Sequence, residues 1–175
     1  MDSLETWKID LNALKEGDNS LQFHADNHFF EQTEGSEIRG GDVQIDVKAY
    51  RRGRVFELDF HTFGTIVIGC DICLDDMQQE VDGQNRVIAK FGKEESIDDD
   101  LIMIDENEGM LDISWLVYEF IALDIPIKHV HTPGKCNPAM IKKLKEHSAN
   151  RSGDEDEEIA IDPRWSKLKE LKINN

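Results

Sequence analysis

The sequence predicts an α+β fold: an antiparallel β-sheet, a meander that is barrel-like if it closes, packed on one buried helix and carrying a Cys/His cluster and short C-terminal helices. Three observations lead there. All four prolines, Pro126, Pro133, Pro138 and Pro163, fall in the last fifty residues. Proline removes a ladder donor and is excluded from central strands, so residues 1–125 are permissive for sheet. Val43, Ile45, Val47 and Ala49 alternate with Gln44, Asp46 and Lys48, and Phe56, Leu58 and Phe60 alternate with Glu57, Asp59 and His61. That is the period of a sheet with one wet face. From Asp112 the period changes to that of a helix, with Ile113, Leu116, Val117, Phe120 and Leu123 on one side and Trp115 and Ile121 widening the arc.

In chain order, Thr6 to Leu11 and Ser20 to His24 are strand candidates, and Asn27 to Gln32 reads as a helical turn holding Phe29 and Phe30. Arg52-Gly53-Arg54 offers a turn between the two alternating runs, and Phe63-Gly64-Thr65 a second turn leading into Ile66 to Cys70. Asp82-Gly83-Gln84-Asn85, between Met77–Val81 and Arg86–Phe91, reads as a hairpin loop. From Glu94 to Glu108 there are eight carboxylates and no basic residue around Leu101-Ile102-Met103-Ile104, a charged loop running into an edge strand. Asp112 is placed to cap the long helix, which Ile125-Pro126 ends. Asn137-Pro138 puts a cap before a proline at the first helical position, opening a helix to about His147 with Met140, Ile141 and Leu144 as its apolar side. Residues 1–147 thus form the β-rich domain, 148–160 an acidic linker holding Asp154 to Glu158, and 161–175 a tethered amphipathic helix with Trp165, Leu168 and Leu171 at helical spacing.

The chain has 175 residues, 20 Lys plus Arg against 37 Asp plus Glu, and a net charge of −17. Such acidity repels phosphate and argues against indiscriminate binding to nucleic acid or an anionic membrane. No apolar run approaches the roughly 18 residues of a membrane span, and Met1-Asp2-Ser3-Leu4-Glu5 lacks the basic start of a signal peptide. The expectation is a cytoplasmic protein whose three cysteines stay reduced.

Those cysteines carry the strongest constellation. Cys70-Asp71-Ile72-Cys73 follows a strand, so both thiolates can reach one cation, and zinc then needs two further nitrogen or sulfur donors. Cys136 is one; His131, five residues before it, and His129 compete to be the other. The composite is zinc-knuckle-like, and four protein ligands make a closed, structural site. Three reduced thiols with no metal are the alternative. A redox role is disfavoured because Leu74-Asp75-Asp76 leads back to sheet and not into a helix.

Charge along the chain is uneven. Residues 125–145 hold Lys128, Lys135, Lys142, Lys143 and Lys145 and no acidic residue, a local +5 against −22 for the remainder. These lysines are candidates for phosphate contacts, with a plain solvated helix face as the alternative. Arg51, Arg52 and Arg54 cluster at a hairpin tip, and neither cluster shows aromatic interleaving. No phosphate loop, dinucleotide fingerprint or nucleophile elbow is present, so the chain reads as a non-enzyme with no small-molecule substrate. A hydrolase would rest on Asp98 to Asp100 holding magnesium.

Cys70-x-x-Cys73-Leu74, the run Leu123 to His131, Cys136, and Asp162-Pro163-Arg164-Trp165-x-x-Leu168 together resemble the YceD family of bacterial and plastid proteins. The resemblance implies a role in 23S ribosomal RNA accumulation, hence in biogenesis of the large ribosomal subunit. It implies Cys70, Cys73, His131 and Cys136 as the cluster, with His131 preferred over His129, and marks Asp162, Pro163, Arg164, Trp165 and Leu168 as a partner contact. Arginine commonly precedes the family's second cysteine, where this chain has Ile72. The expected partners are ribosomal RNA, a basic ribosomal protein, or both.

Overall fold

A computed structural model gives the structure of the protein and describes residues 7–33, 37–92 and 101–147. The chain divides into two compact units, Met1–Ile141 and Lys142–Asn175. The first holds a five-stranded sheet in the order β2-β3-β4-β5-β6 and a two-stranded sheet, β1-β7. The long strands are β2 (Gly17–Ala25), β3 (Ile38–Arg52), β4 (Val55–Gly69) and β5 (Asp76–Phe91), each antiparallel to the next. The short strand β6 (Leu101–Ile104) lies parallel to β5, and β1 (Lys8–Asp10) pairs antiparallel with β7 (Met110–Asp112). Among the described residues three helices complete the set: α1 (Asn27–Gln32), α2 (Ser114–Leu123) and α3 (Pro138–His147).

The α+β class and the mostly antiparallel sheet agree with the sequence, but four details differ. The sheet is open, with β2 and β6 at its edges, so no barrel closes. Phe63-Gly64-Thr65 is no turn; β4 runs straight through it. Gly64 lies at φ +155°, and a Cβ there would strike the Asp42 carbonyl oxygen and come within 2.7 Å of Val43 Cα. Glycine here permits close approach of β3 and β4, the other meaning of a glycine inside a strand pattern. Asp82 to Asn85 likewise stays in β5, because Gly83 marks the place where the Asp124 carboxylate lies against the strand. The fourth difference is β6, which pairs parallel with β5 and takes the sheet out of simple meander order.

The core is built from the alternating positions. Val43, Ile45, Val47 and Ala49 from β3 and Phe56, Leu58, Phe60, Ile66 and Ile68 from β4 are buried. Trp7, Ile9, Leu11, Leu111 and Ile113 are buried with them, as are Val117, Phe120 and Ile121 of α2. Phe60 and Phe120 meet at 5.3 Å between ring centroids, edge to face, and Trp7 and Phe29 at 4.3 Å. Helix α2 is narrower in its apolar face than its sequence suggests: Trp115 and Leu123 are 54% and 75% exposed. Its cap is Ile113, without a side-chain bond; Asp112, at the end of β7, accepts from the Ser114 N–H at 2.9 Å. The Asn137 side chain accepts from the Ala139 N–H at 3.0 Å, opening α3 at Pro138. No helix among the described residues is long and apolar enough to cross a membrane. The linker at 148–160, Asp98 to Asp100, and Asp162, Pro163, Arg164, Trp165 and Leu168 lie outside the described residues.

Candidate metal centre

The centre forms where β4 ends and β5 has not begun. The Cys70 carbonyl accepts from the Leu74 N–H at 2.9 Å, and the Cys70 N–H donates to the Asp75 carbonyl at 2.9 Å. Leu74 closes this turn with φ +64°, the left-handed region. Both turn cysteines face inward, Cys70 0% and Cys73 1% exposed.

The segment after α2 is stapled to this turn. The Asp71 N–H donates to the His129 carbonyl at 3.0 Å, and the His129 N–H donates back to the Asp71 carboxylate at 2.8 Å. Further along, the Asn137 side-chain amide donates to the Asp75 carboxylate at 3.0 Å. Between these anchors the Lys135 N–H bonds to the Thr132 carbonyl at 3.0 Å, and Gly134 takes φ +85°, so the chain folds back and brings Cys136 toward His131.

Four donor atoms converge as a result. One atom each from Cys70, Cys73, His131 and Cys136 lies within 4.8 Å of all the others. Cys70 Sγ is 3.9 Å from Cys136 Sγ, and Cys73 Sγ is 3.4 Å from His131 Nδ1. Tetrahedral zinc, with bonds of about 2.3 Å to sulfur and about 2.0 Å to nitrogen, needs separations of about 3.8 and 3.5 Å. The donor set therefore fits zinc in chemistry, and these two separations fit it in spacing. His131 Nε2 lies 3.2 Å from the Asp76 carbonyl, which can only accept. The ring proton belongs on Nε2, leaving the Nδ1 lone pair for the metal.

His129 is engaged elsewhere. Its side chain is 13% exposed, with Nδ1 3.0 Å from the Pro126 carbonyl and Nε2 3.3 Å from the Asp71 carboxylate. It braces the loop that carries His131. The thiols are electrostatically unequal. Burial pushes Cys70 up, but hydrogen bonds from the backbone N–H groups of Cys73, His131 and Ile72 prevail and bring it down to about 6. Burial, followed by the sulfurs of Cys70 and Cys73, pushes Cys136 up to about 11. One ligand is thus ionised near neutrality, and another gives up its proton only to a cation.

Lys128 and Lys135 are exposed on the loop, and Lys142, Lys143 and Lys145 are exposed on α3, where Lys142 Nζ stands 3.9 Å from Glu146. The sequence did not single out Asp71, Asp75 or Asp76. Two carboxylates beside a Cys-x-x-Cys are a weak hint at loop anchoring, whereas a backbone carbonyl such as that of Asp76 leaves no residue-level signal.

An open, mostly antiparallel sheet backed by one helix, with a Cys3His cluster joining the β4–β5 turn to the segment after that helix, defines a small α+β protein with a closed knuckle. The chain belongs to the family described as large ribosomal RNA subunit accumulation protein YceD, whose model matches residues 58–172. The match takes in all four cluster residues, and the family's name links the chain to accumulation of large-subunit ribosomal RNA. No curated protein and no solved structure matches the chain.

Proposed function

We propose that the protein is a cytoplasmic, non-enzymatic factor in large ribosomal subunit biogenesis, which binds ribosomal RNA through its lysine-rich segment and is held together by one structural zinc. The observation that carries the RNA contact is the stretch 125–145, five lysines and no carboxylate inside a chain of net charge −17. In so acidic a molecule, general attraction to RNA is cancelled, and a local cationic segment selects where phosphate can approach. A metal held by four protein ligands has no open position for a catalytic water, so zinc here would act on shape alone.

The test is sucrose-gradient sedimentation with and without Lys142→Glu, Lys143→Glu and Lys145→Glu together. Co-sedimentation with large-subunit precursors, lost in the triple variant, supports the proposal. Absence of the wild-type protein from those fractions, with unchanged large-subunit RNA on its deletion, refutes it.

The charge of −22 outside that segment favours a second reading, an acidic adaptor that holds a basic ribosomal protein and touches no RNA. Under that reading the triple variant still captures its protein partner, and capture weakens steeply with salt.

A further inference from the structure

The sequence groups Arg51, Arg52 and Arg54 at one hairpin tip, but the structure separates them. Arg51 turns inward, donating to the Leu14 carbonyl at 2.6 Å and lying over the Phe56 ring at 5.5 Å. Arg54 pairs with Glu106 at 2.6 Å. Arg52 remains on the solvent face of the five-stranded sheet, and the register brings it new neighbours.

Three adjacent rows cross β3, β4 and β5 on that face: Arg52, Val55 and Lys90; Tyr50, Glu57 and Ile88; Lys48, Asp59 and Arg86. Lys48, Arg52, Arg86 and Lys90 mark the corners of a rectangle. At about 4.8 Å between strands and about 3.4 Å per residue, its sides are about 10 and 14 Å. Tyr50, 45% exposed, sits at the middle of one long side. Arg86 is held in place by a two-pronged pair to Asp59, with Nη2 2.9 Å from Oδ2. Lys48, Arg52 and Lys90 are exposed and have no ion-pair partner among the described residues.

On this face the four cations meet Asp18, Glu57 and Asp59, a local net of +1 in a chain of −17. Tyr50 lies between Asp18 on β2 and Glu57 on β4 with the four cations at the corners, so an unpaired base can stack on the ring, the flanking carboxylates can accept from base amino groups, and the backbone is neutralised at the periphery. Tyr50 is the aromatic of this face, two residues from Lys48 and from Arg52 on the same strand, and register adds Arg86 and Lys90 from β5. A groove of about 470 Å³, lined by Asp46, Lys48, Asp59, His61, Asn85 and Arg86 among others, adds donors and acceptors for a base edge.

We propose that the solvent face formed by Lys48, Tyr50, Arg52, Arg86 and Lys90 binds single-stranded RNA, with one base stacked on Tyr50. The proposal deepens the proposed function and rests on its reading that the chain touches RNA. It assigns that contact to residues of the sheet and not to the lysines of α3. Glu57, in the middle row, opposes phosphate at the centre and confines the backbone to the rim.

The test uses the full chain and a fluorescein-labelled single-stranded RNA of mixed sequence, titrated by anisotropy at several salt concentrations. Tyr50→Ala is expected to weaken binding about fivefold or more, the ratio to which about 1 kcal/mol of stacking converts, while Tyr50→Phe retains it. Arg52→Glu with Lys90→Glu is expected to weaken it more than tenfold and to flatten the salt slope by about 1.4, the effect of two lost phosphate contacts on a single strand. All positions are exposed, and circular dichroism with zinc content checks that each variant folds. Wild-type binding that falls only in the α3 triple variant overturns this proposal and leaves the RNA reading standing. Wild-type protein that binds no RNA overturns both. Loss of polyglutamate binding with RNA affinity unchanged assigns the face to an acidic protein segment, and overturns it too.

Discussion

Removing zinc should unfold residues 126–137 and leave the sheet intact. These twelve residues carry two of the four ligands and hold no regular structure before α3. Ordering their backbone costs about 12–24 kcal/mol, at about 1–2 per residue. Apart from the ligand atoms and the His129–Asp71 ion pair, the hydrogen bonds joining them to the Cys-x-x-Cys turn and the start of β5 are Asp71 N–H to the His129 carbonyl, His129 N–H to the Asp71 carboxylate, Asn137 to Asp75, and His131 Nε2 to the Asp76 carbonyl. Their net contribution is about 4–6 kcal/mol together, the carboxylate-accepted pair counting most. A structural zinc contributes about 10–16 kcal/mol. With the metal the balance closes to within a few kcal/mol; without it the segment is left far short. Hydrogen exchange read by mass spectrometry checks this directly. After chelation, the His129 and Lys135 amides should exchange near the rate of an unstructured peptide, while β3 and β4 amides keep their protection. Retained protection at His129 and Lys135 in metal-free protein, or protein purified without chelator that contains no zinc, would refute the reasoning.

Ligand identity is tested by His131→Ala, which should abolish stoichiometric zinc in metal analysis, whereas His129→Ala should retain one zinc per chain with weaker affinity. The pH dependence follows from the thiols. Cys136, raised to about 11, must surrender a proton to bind metal, so zinc affinity should fall at least tenfold for each unit of pH lost below that value. Below about pH 6 protonation of Cys70 should steepen the fall, as competition against a chromogenic chelator will show. Asp124 makes the opposite kind of prediction. Burial and the neighbouring Asp82 charge raise its pKa, and its Oδ2 is buried without a hydrogen-bond partner. The folded chain therefore holds that proton more tightly than the unfolded chain, which favours folding at acid pH, and the advantage disappears as pH rises through the raised value. In urea denaturation Asp124→Asn should gain stability relative to the wild type as pH rises from the carboxylate range toward neutrality; a constant difference would refute it.

The sequence by itself determined the α+β class, the core positions of β3 and β4, the ends of α1 and α3, and the three cysteines of the Cys/His cluster. Those features follow from period, capping chemistry and residue type, all of which are local or limited to a few spacings. Tertiary structure decided the rest. Gly64 and Gly83 look like turn residues in sequence, but each is glycine because another chain segment lies where a Cβ would be, and that segment is distant in sequence. Parallel pairing of β6, the openness of the sheet, and the exposure of Trp115 depend on how elements pack after they form. Selection between His129 and His131 came from a backbone carbonyl and a carboxylate that orient two rings, a distinction invisible to spacing. Tyr50 and Arg52 share a face by the two-residue period of their own strand, but the meeting of Arg52 with Lys90 came from strand register, and the dispersal of Arg51, Arg52 and Arg54 from the partners each side chain finds.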